Sequence, residues 1–468
     1  MGAYGGNQYK SMPYLSIPLP WYEQNSIINV PENYGKIQDA INSADDGDTI
    51  VVAPGTYVEN VNFRGKNILL TSHYLFDEDV SFINTTIIDG SKPLFPDTAS
   101  VVIFMNGEEN TAILQGFTIT GGKGTKFFDG YFVLNGGGIN IFHSSPTIRH
   151  NIIAFNEAID PVGVSYLAGG GIGANNSGAI ISNNIIYKNK SDRGSGVLLG
   201  PNPELTFRNN IVAYNINYPD GTGQGGMWLR GDQGKFINNT IAFNSSGIGL
   251  RNDPIVNIEN CIIYGNNTGS SKPQIFNSGI ISITNTNIEG GWAGEGNIDE
   301  SPLFIENTPL ILQDDSPCID KGDTSTASND WEDPDNPGFA LSPALGTLRN
   351  DMGAYGGNQY KSMPFSSMEI TRIEEENGTT PNKFVLSQNY PNPFNPSTLI
   401  NYSIPDNSFV TIKVYDLLGK EVATLVNEEK PFGNYAVEFD GSDLSSGVYF
   451  YRMQAGGFLN IKKFILLR

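Results

Sequence analysis

The sequence predicts an all-β chain: a right-handed parallel β-helix with a short N-terminal capping helix, followed by a small C-terminal antiparallel β-sandwich. Three observations carry this expectation. Five ten-residue segments repeat through the middle of the chain, one amphipathic helical run precedes them, and longer alternating strands begin near residue 381. Composition agrees. Only 16% of the 468 residues are charged while 39% are hydrophobic, and Gly reaches 54, which suits short strands separated by turns. The 28 basic residues against 49 acidic ones give a net charge of −21, which argues against a nucleic-acid partner. No run of 18 apolar residues occurs, so no membrane-spanning helix is expected. Two cysteines, Cys261 and Cys318, make no disulfide framework.

The elements follow in chain order. Residues 35–44 carry Ile37, Ala40, Ile41 and Ala44 at i, i+3, i+4 and i+7, one apolar helix face suited to covering the open first edge of a stacked sheet. The repeated segments are TIRHNIIAFN (147–156), IISNNIIYKN (180–189), TFRNNIVAYN (206–215), KFINNTIAFN (235–244) and NIENCIIYGN (257–266). Each follows a Gly-rich stretch ending in an apolar residue: Ile139, Ile172, Val197, Met227 and Ile248. From that residue to the first Asn column (Asn151, Asn184, Asn210, Asn239, then Cys261) the spacing is 12 or 13 residues. Stacked coils demand such constancy, because no coil buries its apolar face alone. Asn at a fixed turn position stacks its amide on the copies above and below, and Gly supplies the turns with φ > 0. Ile152, Ile185, Ile211 and Ile262, interrupted by Thr240, are the expected interior column. Cys261 occupies the Asn column and reads as a small ladder substitute rather than a nucleophile.

Residues 1–13, MGAYGGNQYKSMP, recur at 352–364, where the second copy closes the repeat region. The expected organisation is therefore an orphan tail of a preceding module (1–14), the β-helix (15–365), a polar linker (366–380) and the sandwich (381–468). Within the last, VTIKVYDL, YAVEFD, GVYFYRMQ and NIKKFILL read as strands separated by turns. The motifs NYPNPFNPSTLINYSIP (389–405), VYDLLGKEVATLV (414–426), SSGVYFYRM (445–453) and the terminal KKFILLR resemble the type A sorting domain of the type IX secretion system. That resemblance covers about 381–468 and implies the type IX machinery as a partner. It also implies export to the outside or outer-membrane surface of a Gram-negative bacterium. Residues 26–357, through DDGDTIVVAPGTYVENVNF, GFTITGG (116–122) and SPCIDKGD (316–323), resemble the pectate-lyase-like right-handed β-helix superfamily. This second resemblance implies the fold and leaves activity open, since the superfamily holds lyases, hydrolases, adhesins and non-catalytic surface proteins.

Coil length varies only after the Asn-bearing strand, so the insertions at about 122–135, 157–168, 190–193 and 216–224 leave one edge of the helix. Loops on a rigid scaffold are where binding usually lives. Each insertion carries an Asp: Asp129, Asp160, Asp192 and Asp220. Coils rise by about 4.8 Å, near the ~5 Å separation of carboxylates in retaining glycosidases, so these residues with Arg193 are the candidate catalytic set. Asp is also a favoured turn residue, which explains the same four positions without chemistry. Phe127, Phe128, Tyr131, Tyr166 and Tyr218 are candidate substrate-binding residues, because flat rings stack on sugar faces. Asp330, Asp333 and Asp335 in NDWEDPDNPG (329–338) are candidate Ca²⁺ ligands, with a solvated Pro-rich loop as the alternative. Three functions fit: a non-catalytic polysaccharide-binding or adhesive module, a polysaccharide lyase or glycoside hydrolase, and a structural spacer.

Overall fold

The computed structural model describes residues 26–128, 132–159, 166–201, 205–217, 226–231, 234–252, 254–266, 274–276, 280–305, 308–359, 384–386, 389, 392, 394–431 and 433–467. Three long parallel sheets of ten, nine and eight strands wind around one core, and a coil visits them in turn. One coil runs from Ile172–Asn175 in the third sheet through Ile180–Ser182 in the first to Ile185–Tyr187 in the second. Each strand pairs in parallel with its counterparts in the coils on either side; Ile180, for example, opposes Thr147 and Thr206. The capping helix, Ile37–Ser43, buries Ile37, Ala40 and Ile41 against the first coils, as its apolar spacing predicts.

The interior column of the second sheet is Ile88, Ile119, Ile153, Ile186, Val212, Ile241, Ile263 and Ile288, which differs by one residue from the sequence expectation. The Asn before each strand turns into the corner between sheets, so strand alternation sends the next residue outward. Ile152, Ile185, Ile211 and Ile262 therefore face away from the coil axis. They are still buried, because residues 303–305 and 308–355 and the short helices Tyr74–Asp77 and Ser81–Thr85 pack over them. Residues 352–357 form a clasp on this outer face. Gly353 N–H donates to the Asn260 carbonyl at 2.7 Å, and Ala354 N–H to Thr240 Oγ1 at 3.0 Å.

Two Asn ladders, not one, hold the corners. In the first, the side-chain amides of Asn151, Asn184 and Asn210 each donate to the Oδ1 of the next member at 3.1–3.2 Å. Cys261 continues this column, accepting from Asn239 N–H at 3.3 Å while its own N–H donates to Thr286 Oγ1 at 3.2 Å, and burial pushes its thiol up to about 12. That is a ladder substitute with no nucleophilic character at neutral pH. The second ladder is Asn156, Asn189, Asn215, Asn244 and Asn266, with links of 2.9–3.0 Å. The residue before each first-ladder position is left-handed: His150, Asn183, Asn209, Asn238 and Asn260 have φ of 51–56°. Asn tolerates this conformation better than most side chains. These Asn also grip the clasp, as when Asn209 Nδ2 donates to the carbonyls of Ala354 and Gly356. The corresponding residues before the second ladder include Phe155, Tyr214 and Phe243, whose left-handed backbones persist because stacking over-determines them.

The C-terminal unit is a two-sheet antiparallel sandwich. Val385–Leu386, Ser397–Ile404 and Gly433–Asp440 form one sheet, while Ser408–Tyr415, Glu421–Lys430, Gly447–Ala455 and Phe458–Leu466 form the other. Alternate positions of both, including Ile400, Ile412, Tyr451 and Phe464, fill its core.

Candidate functional site

The outer face of the third sheet carries the first insertion. Gly124–Phe128 and Phe132–Asn135 pair as an antiparallel hairpin, and Tyr166–Ala168 adds in parallel to its second strand. This sheet lies over coil residues that would otherwise meet solvent. Asn135 Nδ2 donates to Asn140 Oδ1 at 2.7 Å and to the Gly173 carbonyl at 3.1 Å. Gly173 has no alternative here, since a Cβ would stand 2.2 Å from Asn135 Oδ1.

Phe127, on the first hairpin strand, is half-buried and packs on Phe142 of the coil with ring centroids 4.4 Å apart. Phe142 in turn meets the exposed His143 edge-on at 4.3 Å. The three rings form a row from the hairpin to the corner between the third and first sheets. Sequence reasoning found only its first member. Phe142 and His143 carry no insertion signal of their own, although the register Val102↔Ile139 places their corner directly over residues 105–108.

At that corner lies an open cleft of about 400 Å³ lined by residues 107–111 and 143–145. Its floor is fixed by Glu108, only 1% exposed. The Glu108 carboxylate accepts from Gly65 N–H at 2.8 Å, Asn106 N–H at 2.9 Å and the Ser144 hydroxyl at 2.7 Å. Glu109 beside it is exposed, with its backbone N–H held by Asn67 Oδ1.

Of the candidate acids, Asp192 is described. Its Oδ2 lies 3.5 Å from Arg193 Nε, and the Arg193 guanidinium stands 5.8 Å from the ring centroid of the buried Trp228. Burial raises the Asp192 pKa, opposed by the Arg193 charge. Asp129, Asp160, Asp220, Tyr131 and Tyr218 lie outside the described residues, and Phe128 and Tyr166 are described in their backbones alone. Asp330, Asp333 and Asp335 do not converge. Asp330 is buried and accepts from the backbone N–H groups of Asp351 and Gly357, while Asp333 Oδ1 accepts from Asp335 N–H at an exposed turn. Among the described residues no group of three or more His, Cys, Asp or Glu side chains is placed to hold a metal ion.

Asp330 and Asp351 instead form a buried acidic pair inside the segment that supports the clasp. Asp351 accepts from Asp320 N–H at 2.7 Å and Leu345 N–H at 2.9 Å. Burial pushes both carboxyls well above the ordinary range, and the charge of Asp351 adds to the effect on Asp330.

Residues 388–467 match the family described as the secretion system C-terminal sorting domain. The fold and this domain together define a class: a parallel β-helix protein exported through the type IX system to the cell surface or outside. No helix of the described residues is long and apolar enough to cross a membrane. Among solved structures, the enzymatically active domain of bacteriophage CBA120 tailspike protein 4 is similar at 10% identity and a TM-score of 0.22. The alignment covers 90% of this chain and 62% of that one. A search of curated protein sequences returns no match.

Proposed function

We propose that the exported β-helix binds polysaccharide without cleaving it, with the type IX domain delivering it to where such polymers are met. The observation that carries this reading is the Phe127–Phe142–His143 row, which leads from the insertion hairpin to an open polar cleft. Aromatic faces beside hydroxyl-matching groups are the chemistry that sugar rings require.

The test passes the full chain over immobilised polysaccharides and analyses the eluate for reducing ends and unsaturated products. Retention without products is expected, and the double variant F127A/F142A should lose it. Released products would establish the lyase or hydrolase reading instead. Retention unchanged in the double variant would remove the aromatic row from the site.

A further inference from the structure

We propose that the cleft between residues 107–111 and 143–145 is a subsite for an uncharged sugar residue, so that this chain selects neutral over acidic polysaccharide. The inference rests on the glycan-binding reading above and deepens it.

Size and position come first. About 400 Å³ lies in the range of small-ligand sites, and the opening admits a unit of a longer chain. The aromatic row ends at its wall, because His143 belongs both to the row and to the cleft lining. A polymer stacked along the rings is thereby led to the cleft.

The walls are pre-arranged. Ser144 donates to Glu108 and accepts from Gly107 N–H at 3.2 Å, while Ser145 N–H donates to the Glu108 carbonyl at 2.6 Å. Ser145 Oγ accepts from Gly178 N–H at 2.9 Å and keeps its own proton to donate. The side chains of Glu109, Asn110 and Thr111 stand exposed at the lip. Such groups match sugar hydroxyls, which both donate and accept.

Charge sets the selectivity. The lining holds two carboxylates, Glu108 and Glu109, and no Lys or Arg. A uronate or sulfate placed there would face a buried carboxylate with no lysine or arginine in the lining to offset it, and like charges at close range in a partly dry site repel strongly. The net charge of −21 discourages polyanions further at long range. A hydroxyl, by contrast, gains a charge-assisted bond to the exposed Glu109 carboxylate.

The experiment is affinity gel electrophoresis of the full chain in gels containing glucomannan, a neutral polymer, or polygalacturonate, an acidic one. Arabinoxylan and mixed-linkage β-glucan extend the neutral set. The expected result is retardation by at least one neutral polymer and none by polygalacturonate. E109K, at an exposed side chain, should weaken the neutral interaction about tenfold, the loss of one charge-assisted hydrogen bond, and allow retardation by polygalacturonate. N110K provides a second lip variant, for which the same shift towards polygalacturonate is expected. Retardation of the unmodified chain by polygalacturonate would overturn the proposal, as would neutral affinity unchanged in both lip variants. If F142A abolishes neutral retention while both lip variants keep it, the subsite falls and the aromatic reading stands. If no polymer retards the chain, the glycan-binding reading itself falls.

Discussion

Replacing Asn210 by Ala should destabilise the β-helix by about 3–5 kcal/mol, far more than the loss of an ordinary polar side chain. Asn210 is fully buried and central in the first ladder. Its Nδ2 donates to the Ile181 carbonyl at 2.9 Å, the Arg208 carbonyl at 2.9 Å and Asn239 Oδ1 at 3.2 Å. Its Oδ1 accepts from the backbone N–H of Asn184 at 3.0 Å and from Asn184 Nδ2 at 3.1 Å. Alanine orphans the buried Asn184 N–H, at about 1–3 kcal/mol, and removes the amide's other bonds, each worth about 1 kcal/mol net. N210C should be milder, because Cys261 shows that a sulfur can take an N–H in this column. The assay is urea unfolding of the full chain, followed by tryptophan fluorescence and circular dichroism together, so that separate transitions of helix and sandwich are distinguished. A loss below 1 kcal/mol for N210A, or equal losses for Ala and Cys, would refute the view that the ladder amides hold the corners.

Two further perturbations test the clasp. Asp330 and Asp351 are raised by burial, so the folded chain binds these protons more tightly than the unfolded one. Their contribution is complete below the unfolded carboxylate value of about 4 and is lost as pH rises through the raised folded values. The urea midpoint should therefore fall between pH 5 and 9, and D330N should flatten that slope; a slope unchanged in D330N would place its origin elsewhere. At Gly353, φ is +98° and an added Cβ would stand 2.8 Å from both Ile262 Cδ1 and Thr240 Oγ1. G353A should cost about 1–3 kcal/mol through strain and overpacking, read as earlier proteolysis of residues 303–357, whereas wild-type resistance would mean the clasp contributes little.

Much of the fold was legible because coils repeat residue identities. Fixed spacing from Ile172 to Asn184 and from Met227 to Asn239 is a direct image of stacked strands. The phase of the second sheet was not legible. Whether Ile152 or Ile153 points inward depends on the corner Asn turning in, and both positions are apolar because the segments packed on the outer face cover the outer one. The second ladder lies in the same repeats at Asn156, Asn189 and Asn215, five residues after each first-ladder Asn, and that constant offset is its signal in the sequence.

The site was less legible for a different reason. Insertion lengths can be counted, but loops outside the repeat carry no periodicity that says which side chains meet. Phe127 was found as an aromatic in an insertion, yet its partner Phe142 is a coil residue with the same pattern as any strand end. The cleft joins residues 107–111 to 143–145, one coil apart. Aligning strand Val102–Phe104 over strand Ile139–Phe142 would have superposed the two turns, and that alignment is the signal that was available.

The most direct measurement is retention of the full chain on immobilised glucomannan, arabinoxylan and β-glucan, with the eluate assayed for products. The account predicts retention on at least one neutral polymer, no products, and loss of retention in F127A/F142A. Release of reducing ends or unsaturated sugars, or the absence of retention on every polymer tried, would contradict it.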